Sequence, residues 1–247
     1  MSNWTTTRVF DYNVFSDDIS IIQLGKNKTI INTLNAYSYV VANRDEIFKT
    51  ALQKSDILLP DGFPVVIAAK WLKKIKIKKI AGADIFMYLC NYLNEIKGSC
   101  FFLGSSQKTL NAIETKISNE FPNVKAGFFS PPYKRVFNTE DSMIMCEAVR
   151  KFSPNVLFVG MTAPKQEKWV YKHSDNLETK IICSIGAVFD FYAGSVSRPS
   201  DFWVKNNMEW FIRLLKEPKR LWKRYLIYSP LFFIDLLLFK MKLKKIK

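Results

Sequence analysis

Residues 99–128 read SCFFLGSSQKTLNAIETKISNEFPNVKAGF, and their pattern indicates the fold class. An apolar run at residues 99–103 is followed by a polar turn and by residues 107–120, whose apolar positions recur at helical spacing. A second apolar run follows at residues 124–128. Two short strands joined by a helix form a βαβ unit, in which the strands run parallel. The stretch therefore predicts a parallel sheet with a helix packed against it.

The same alternation runs through the first two hundred residues. Strands are predicted at residues 28–34, 56–59, 99–103, 124–128, 155–159 and 180–185, and helices at residues 37–54, 64–72, 83–96, 107–120, 139–152 and 165–173. This rhythm is typical of an α/β protein whose parallel sheet carries helices on both faces. From about residue 200 only helical patterns remain. We expect a core at residues 1–200 and a C-terminal helical appendage at residues 201–247.

The chain is strongly basic, with 37 lysine and arginine residues against 22 acidic residues and a formal net charge of +15. The excess is concentrated in KWLKKIKIKK, residues 70–79, and from Trp203 onward, where 12 basic and three acidic residues give +9. A basic excess indicates a polyanionic partner. The residues alone leave three classes open: nucleic acid, anionic lipid and a phosphorylated substrate.

The cysteines and the first residues bear on the cellular compartment. Cys90, Cys100, Cys146 and Cys183 lie in apolar surroundings without a C-x-x-C spacing, which indicates buried thiols in a reducing compartment. The start, MSNWTTTRVFDYNVF, has neither a basic segment nor a long apolar run, so no secretory signal is visible. Both features predict a cytoplasmic protein.

The most apolar part of the tail is predicted to lie on a surface rather than to cross a bilayer. Residues 225–239 are too few for a membrane span, which needs ~20 apolar residues, and they include Pro230 and Asp235. The preceding segment EWFIRLLKEPKRLWKRYL combines arginines with aromatic residues, which is typical of helices at a membrane interface.

Three arginines of the tail are candidates for binding a diphosphate. Pro218 should end one helix and begin the next. Arg213 would lie on the first helix, whereas Arg220 and Arg224 are four residues apart and would share a face of the second. Two interpretations stay open, a solvated basic face and an arginine set that binds a diphosphate.

Ligands of open parallel sheets bind outside the carboxyl ends of the strands. Small, polar or turn-forming residues follow nearly every predicted strand; they are Thr33, Asn35, Asp61, Gly62, Gly104, Ser130, Tyr133, Gly160 and Gly186. Turn formation alone could explain any one of them. Together they favour a crevice at this edge of the sheet.

Two stretches at this edge could carry chemistry. In LLPDGFPVV, residues 58–66, Asp61 could cap the helix that follows or could act as a general base. In VGMTAPKQEKW, residues 159–169, a helix begins near Pro164. Its free N–H groups and Lys165 could bind phosphate, or the stretch could be only a well-capped helix start.

Several other classes of site lack their residues. The only histidine, His173, lies in the polar stretch KHSDN and is predicted to be a solvated helix end. Its isolation argues against a Ser–His–Asp triad and a histidine-rich metal site. No D-x-D pair occurs, and no P-loop or G-x-G-x-x-G fingerprint is present. We therefore predict no metal and no cofactor.

Five blocks, in order, resemble the WecG/TagA/CpsF family of bacterial glycosyltransferases. They are INTLNAYSYVVA, LLPDGFPVV, VGMTAPKQEKW, SIGAVFDFYAGSVSRPS and EWFIRLLKEPKRLWKRYL, and the resemblance covers about residues 29–230. The resemblance implies a Rossmann-like core and an inverting, metal-independent transfer of a sugar from a UDP-sugar to a polyprenyl-diphosphate-linked acceptor. It also implies a peripheral enzyme at the inner face of the bacterial plasma membrane that builds cell-surface polysaccharides.

The resemblance also assigns roles to individual residues. Asp61 matches the catalytic aspartate, and Thr33 belongs to the active-site Thr-x-Asn element. Arg213, Arg220 and Arg224 match arginines that hold diphosphate when the tail docks at the membrane. The residues expected to bind the donor are Asn35, Gly62, Gly104, Tyr133, Gly160, Pro164, Lys165, Gln166, Glu167 and Asp190.

The chain departs from the family pattern at two places. Phe63-Pro64 replaces small residues after the D-G pair, which could reshape the acceptor side. Ser197-Arg198-Pro199 lacks the usual Arg-Ala-Pro spacing, which leaves the role of that loop open.

Two other functions compete with this interpretation. A nucleic-acid-binding protein with a Rossmann-like core would explain the basic charge, but no known nucleic-acid motif appears, so we expect no nucleic-acid partner. An epimerase acting on a nucleotide-sugar would need the dinucleotide fingerprint that is absent. The family's exposed apolar surfaces allow a homo-oligomer.

Overall fold

The computed structural model describes residues 4–195, 203 and 208–241. A small antiparallel hairpin, β1 (Thr6–Val9) and β2 (Tyr12–Phe15), precedes the main sheet. The main sheet has six parallel strands in the order β4–β3–β8–β7–β5–β6. They are β3 (Thr29–Leu34), β4 (Ile57–Pro60), β5 (Ser99–Gly104), β6 (Lys125–Phe129), β7 (Val156–Gly160) and β8 (Ile181–Ser184). The predicted α/β fold is confirmed, and each predicted strand is present.

Eleven α-helices are described. The first eight are α1 (Ala36–Ala42), α2 (Glu46–Gln53), α3 (Phe63–Lys73), α4 (Gly82–Glu95), α5 (Gln107–Glu120), α6 (Thr139–Phe152), α7 (Lys165–His173) and α8 (Val188–Ala193). The tail holds α9 (Glu209–Lys216), α10 (Pro218–Trp222), a π-helical segment (Lys223–Tyr228) and α11 (Ser229–Lys240). Short 3₁₀ turns lie at Ile19–Ile21 and Ser174–Asn176.

The structure differs from the sequence predictions in two elements. The helix predicted at residues 37–54 is broken into α1 and α2, because Asp45 caps a new helix by accepting a hydrogen bond from the Phe48 N–H. The β1–β2 hairpin was not predicted. Its strands have four residues each and turn through Phe10, whose φ is 54°. Hairpin turns with a positive φ are usually recognised from Gly or Asn. Because Phe10 takes this position here, the sequence carries no such signal for the turn.

The two faces of the sheet are covered by separate groups of buried side chains. One group, which includes Phe86, Phe102 and Phe158, packs β5 and β7 against α4, α5 and α8. A second lies under α6 and α7, and a third joins the hairpin to α1, α2 and α3. All four cysteines are free; Cys90, Cys100 and Cys183 are buried and Cys146 is half-buried. Burial raises the pKa of each thiol.

The tail packs onto the sheet domain through α11. Phe232 and Leu236 are fully buried beside Phe10 and Tyr39. The predicted break at Pro218 is present between α9 and α10. The predicted boundary near residue 200 and the stretch 197–199 lie outside the described residues, so the division into core and appendage stays a prediction. Among the described helices, none is long and apolar enough to cross a bilayer.

Candidate active site

A cleft of about 920 Å³ lies at the carboxyl ends of the central strands. Its floor is formed by the loops that follow all six strands of the main sheet. Residues of α9, α10 and the π-helical segment form its far wall. This is the edge of the sheet at which the residues after the strands predicted a crevice. The tail closes the cleft on the side away from the sheet.

Asp61 is held at the end of β4 beside Asn35. The Asp61 N–H donates to the carbonyl oxygen of Leu34 at 2.9 Å, and Asp61 Oδ2 accepts from Asn35 Nδ2 at 3.2 Å. The helix cap of α3 is Gly62, whose φ is 108°, so the interpretation of Asp61 as this cap is wrong. The Asp61 carboxylate therefore faces the cleft and pairs with an amide.

Thr33 and Asn35 reach the same corner from the neighbouring strand. Thr33 is in β3, in register with Leu59 of β4. Asn35 caps α1, where its Oδ1 accepts from the Ser38 N–H at 3.0 Å. This cap fixes the amide of Asn35 so that Nδ2 points at Asp61. The fold therefore brings together the three residues predicted from two separate sequence blocks.

A buried polar pair forms the wall after β7. Gln166 Oε1 accepts from the Met161 N–H at 3.1 Å, and Gln166 Nε2 donates to Glu167 Oε1 at 2.8 Å. Glu167 is 3% exposed, and its Oε2 has no hydrogen-bond partner among the described residues. Burial raises the pKa of Glu167 to about 7. Both side chains line the cleft.

Lys165 begins α7 at the edge of the cleft. Its Nζ donates to the carbonyl oxygen of Lys134 at 2.9 Å and lies 4.3 Å from the ring centroid of Phe137. Burial lowers the pKa of this ammonium group. The preceding Ala163–Pro164 peptide bond is cis, and Pro164 is the cap residue of α7. Lys165 thus ties the loop after β6 to the helix start.

The three tail arginines line the same cleft. The guanidinium of Arg213 lies 4.8 Å from the ring of Phe191, and that of Arg224 lies 5.3 Å from the ring of Tyr37. Arg220 forms an ion pair with Glu217 at 2.6 Å. The Nε of Arg213 is buried without a hydrogen-bond partner among the described residues.

Asp190 lies in the first turn of α8 near these arginines. Burial raises the pKa of Asp190, and the nearby charge of Arg220 opposes that rise. Asp190 also lines the cleft, in the helix that follows β8, the strand next to β3 in the sheet.

Most of the predicted site residues line the cleft. They are Thr33, Asn35, Asp61, Tyr133, Gly160, Lys165, Gln166, Glu167, Asp190, Arg213, Arg220 and Arg224. Gly62, Gly104 and Pro164 are not among its lining residues. Gly104 has φ 130°, and a Cβ there would lie 2.4 Å from the carbonyl oxygen of Gly160. A close approach of β5 and β7 accounts for this glycine. His173 lies at the end of α7, away from the cleft.

Sequence reasoning did not single out two lining tyrosines. Tyr37 of α1 and Tyr228 of the π-helical segment meet edge to face, with ring centroids 5.3 Å apart. They join the sheet side of the cleft to the tail side, next to Arg224. Tyr37 is inside one of the resembling blocks, but nothing in its spacing separates it from a core aromatic residue.

The described residues include no cluster of three or more His, Cys, Asp or Glu side chains arranged to hold a metal ion. The positive charges in the cleft come instead from side chains, those of Lys165, Arg213, Arg220, Lys223 and Arg224.

The chain is similar to known enzymes over most of its length. It matches the model of the "Glycosyl transferase WecG/TagA/CpsF family" over residues 6–246. It is 29% identical over 197 residues to the N-acetylglucosaminyldiphosphoundecaprenol N-acetyl-beta-D-mannosaminyltransferase of Bacillus subtilis (strain 168), covering 80% of this chain and 75% of that enzyme. The enzymes of the same name from Bacillus spizizenii and Staphylococcus aureus (strain MW2) are 27% and 25% identical, over 86% and 90% of this chain and 80% and 84% of theirs. Because the family model covers nearly the whole chain, and because the cleft gathers the residues of the resembling blocks, the protein belongs to the WecG/TagA/CpsF family of glycosyltransferases.

Proposed function

We propose that this glycosyltransferase moves a sugar from a UDP-sugar to a saccharide linked to a polyprenyl diphosphate, with inversion at the anomeric carbon and without a metal ion. The relatives are named for transfer of N-acetylmannosamine to N-acetylglucosaminyldiphosphoundecaprenol. A lipid-linked acceptor of this class is the acceptor proposed for this chain, in the synthesis of a cell-surface polysaccharide.

One observation carries the proposal: an acid and three arginines from distant parts of the chain face one cleft. Asp61 stands at the end of β4, and Arg213, Arg220 and Arg224 come from the tail. A displacement at an anomeric carbon needs a base for the incoming hydroxyl and positive charge for the leaving diphosphate. Asp61 and the three arginines line the same cleft and are proposed to meet these two requirements.

In the proposed reaction, Asp61 accepts the proton of the acceptor hydroxyl as that oxygen attacks the anomeric carbon. The bond between this carbon and the diphosphate oxygen breaks, and UDP leaves from the opposite face. A single displacement of this kind inverts the anomeric configuration. The hydrogen bond from Asn35 Nδ2 holds one carboxylate oxygen of Asp61, which leaves the other available to the acceptor.

The leaving diphosphate is proposed to be held by side-chain cations in place of a metal ion. Arginine binds phosphate oxygens through paired N–H groups, and the unpartnered Nε of Arg213 is available for such a contact. The start of α7, which no side chain caps, and the ammonium of Lys165 are proposed to stabilise the negative charge of the diphosphate from the sheet side. Addition of EDTA should leave the turnover unchanged.

The remaining lining residues are proposed to orient the donor. Thr33, Asn35 and Gln166 present hydroxyl and amide groups that can bond sugar hydroxyls. Tyr133, Gly160, Glu167 and Asp190 complete the donor wall. Gly62, Gly104 and Pro164 do not line the cleft, and we propose that they affect donor binding only by setting the backbone conformation of the neighbouring loops.

The enzyme is proposed to act as a peripheral protein on the inner face of the plasma membrane, where its acceptor is anchored. The tail exposes the large side chains of Trp210, Phe211, Trp222 and Leu226 beside its basic residues. Aromatic and basic residues together are typical of helices that lie in a membrane interface. Binding to nucleic acid would explain the basic residues of the tail but not its exposed aromatic and aliphatic side chains.

The test is a UDP-release assay on the purified full chain with a panel of UDP-sugars and an N-acetylglucosaminyl diphospholipid acceptor. We expect UDP release with one donor class only, dependent on the acceptor, and a product whose new linkage has the opposite anomeric configuration to the donor. Retention of configuration, or release that stops on EDTA treatment, would contradict the mechanism. Absence of release with every UDP-sugar would contradict the donor class.

A further inference from the structure

The basic stretch at residues 70–79 does not line the cleft; it begins in the last turn of α3 and continues beyond the end of that helix. Phe63, Ile67, Lys70, Trp71 and Lys74 recur at helical spacing and fall on one side of α3. The opposite side, with Val65, Ala68 and Ala69, is buried. On the outer side, Phe63 and Trp71 are 47% and 48% exposed. Bulky aromatic residues are therefore left in solvent beside lysines.

The outer side of α3 continues onto α11. The two helices pack together through the buried group that contains Phe232 and Leu236. At their far ends, Lys240 Nζ of α11 lies 5.0 Å from the ring centroid of Trp71. Further along α11, Ile234, Leu237 and Met241 are each at least half exposed. Exposed apolar side chains thus lie on both helices, which are far apart in sequence and meet at Trp71 and Lys240.

The charge of this surface has one sign. Residues 63–79 contain six lysines and no acidic residue. Lys70, Lys73, Lys74 and Lys76 are exposed, as is Lys240 on α11. The acid of α11, Asp235, is turned toward α1, where it accepts hydrogen bonds from Tyr39 and Asn43. A surface of exposed aromatic and aliphatic side chains among lysines matches the interface of an anionic bilayer.

We infer that α3, the lysine stretch and α11 form one docking surface for anionic lipid, and that this surface sets the distance between Asp61 and the membrane. α3 begins two residues after Asp61, and α11 follows Tyr228, which lines the cleft. Both helices therefore run from the cleft to the lysines. The acceptor hydroxyl would reach Asp61 only when the lipid headgroups lie against this face. The inference deepens the proposed function and rests on its membrane-bound acceptor.

The test measures partition of the full chain onto phosphatidylglycerol-containing vesicles and onto vesicles of phosphatidylcholine alone, with no donor or acceptor present. The variant is Lys70→Gln/Lys74→Gln/Lys76→Gln. We expect partition onto the anionic vesicles to fall by about 100-fold, because each lysine near an anionic bilayer adds to binding. A matched variant, Lys54→Gln/Lys108→Gln/Lys172→Gln, removes three exposed charges elsewhere and should bind like the wild type.

A second measurement reports on Trp71 itself. Brominated lipid quenches a tryptophan that enters the interface, so the Trp71→Phe variant should lose part of the wild-type quenching. The Trp169→Phe variant, which removes a buried indole, should keep the quenching at its wild-type level. Equal quenching in all three proteins would overturn the placement of α3 at the bilayer.

The other outcomes are also decisive. Equal loss of vesicle binding in both lysine variants would mean that binding depends only on the total charge of the protein. That result would overturn the inference that this surface docks to the membrane. Binding of duplex DNA that is lost in the first variant, with vesicle binding unchanged, would assign the lysines to nucleic acid. Turnover on a short-chain, water-soluble acceptor should be unchanged in the first variant, and a loss there would place the lysines in the catalytic site instead. Because vesicle binding is measured without turnover, failure of the proposed reaction is distinguishable from failure of this inference.

Discussion

At the scale of single residues, the environment of Asp61 decides what its carboxylate can do. Gly62 adopts φ 108° and takes the cap position of α3, so the Asp61 side chain does not cap this helix. The Asp61 N–H is fixed to β3 through Leu34, and Asn35 Nδ2 holds one oxygen. The carboxylate held in this way lines the cleft. The family resemblance pointed to Asp61, and its position in the cleft beside Asn35 supports the role of base that we propose for it.

The Asp61→Asn substitution should lower turnover by about 10²–10⁴-fold, because an amide cannot accept the acceptor proton. UDP binding, measured by calorimetry, should be unchanged, since the amide keeps the shape of the side chain. The matched control is Asp175→Asn, which changes an exposed acid at Ser174–Asn176 and should leave turnover as it is. Wild-type turnover in Asp61→Asn would remove Asp61 from the role of base.

Glu167 should make the stability of the fold depend on pH. Its pKa is raised to about 7 by burial, whereas an unfolded glutamate titrates near ~4.3. Between these values the folded state binds the extra proton, so the free energy of unfolding falls as pH rises from about 4.5 to about 7. The loss should be at most about 4 kcal/mol, because the two pKa values differ by roughly 2.7 units and each unit is worth about 1.4 kcal/mol. In Glu167→Gln this pH-dependent contribution to the free energy of unfolding should vanish. Urea unfolding of both proteins at pH 5 and pH 8 measures the difference.

The comparison between the two proteins isolates this carboxyl group, because every other titrating residue is common to both. The wild type should lose more stability between pH 5 and pH 8 than Glu167→Gln does. If the free energy of unfolding changed equally with pH in both proteins, the carboxyl group of Glu167 would not be the source of the pH dependence.

At the scale of elements, the sheet depends on glycines where β5 and β7 end. Gly104 and Gly160 are directly paired, and the two backbones approach too closely for a side chain on the first. A Cβ on Gly160 would meet the ring of Phe189 at 2.4 Å. The loops that floor the cleft leave the strands at this point, so tight strand packing sets their starting positions.

Gly104→Ala should destabilise the fold by about 2–4 kcal/mol, since it combines a backbone clash with a left-handed φ of 130°. The thermal midpoint should fall accordingly. The control is Gly25→Ala, where the nearest atom to a new Cβ is 3.7 Å away. A Gly104→Ala protein of wild-type stability that had lost donor binding would instead return Gly104 to the donor site.

The sequence allowed the strands to be predicted because each is a short apolar run that ends in turn residues, as in residues 99–104. It allowed Asp61 and Gly160 to be placed at one edge, because parallel strands end together. It could not reveal that Tyr37 meets Tyr228, since that contact joins elements nearly two hundred residues apart. Nor could it reveal the burial of Glu167, because a charged residue in a first helical turn normally faces solvent.

At the scale of the whole molecule, the tail does two things at once. Its arginines line the cleft, and α11 buries Phe232 and Leu236 in the group of side chains that also covers the hairpin and α1. A tail that shares this core holds its arginines in place relative to Asp61. Deletion of the tail would therefore expose core side chains as well as remove the proposed membrane contact, so point substitutions separate the two effects better.

The neighbours Phe232 and Phe233 allow the shared core to be tested. Phe232 is fully buried and contacts Phe10 and Tyr39, whereas Phe233 is 37% exposed. Phe232→Ala should lower the free energy of unfolding of the whole chain by about 3–5 kcal/mol, because it removes a buried ring and leaves a cavity. Phe233→Ala should cost far less stability and should weaken binding to anionic vesicles instead. In urea, Phe232→Ala should still unfold in one transition, shifted to lower denaturant, because α11 and the sheet lose the same packing together. Two separate transitions, with the larger one at the wild-type midpoint, would mean that the tail folds independently and that its arginines are not held by the core.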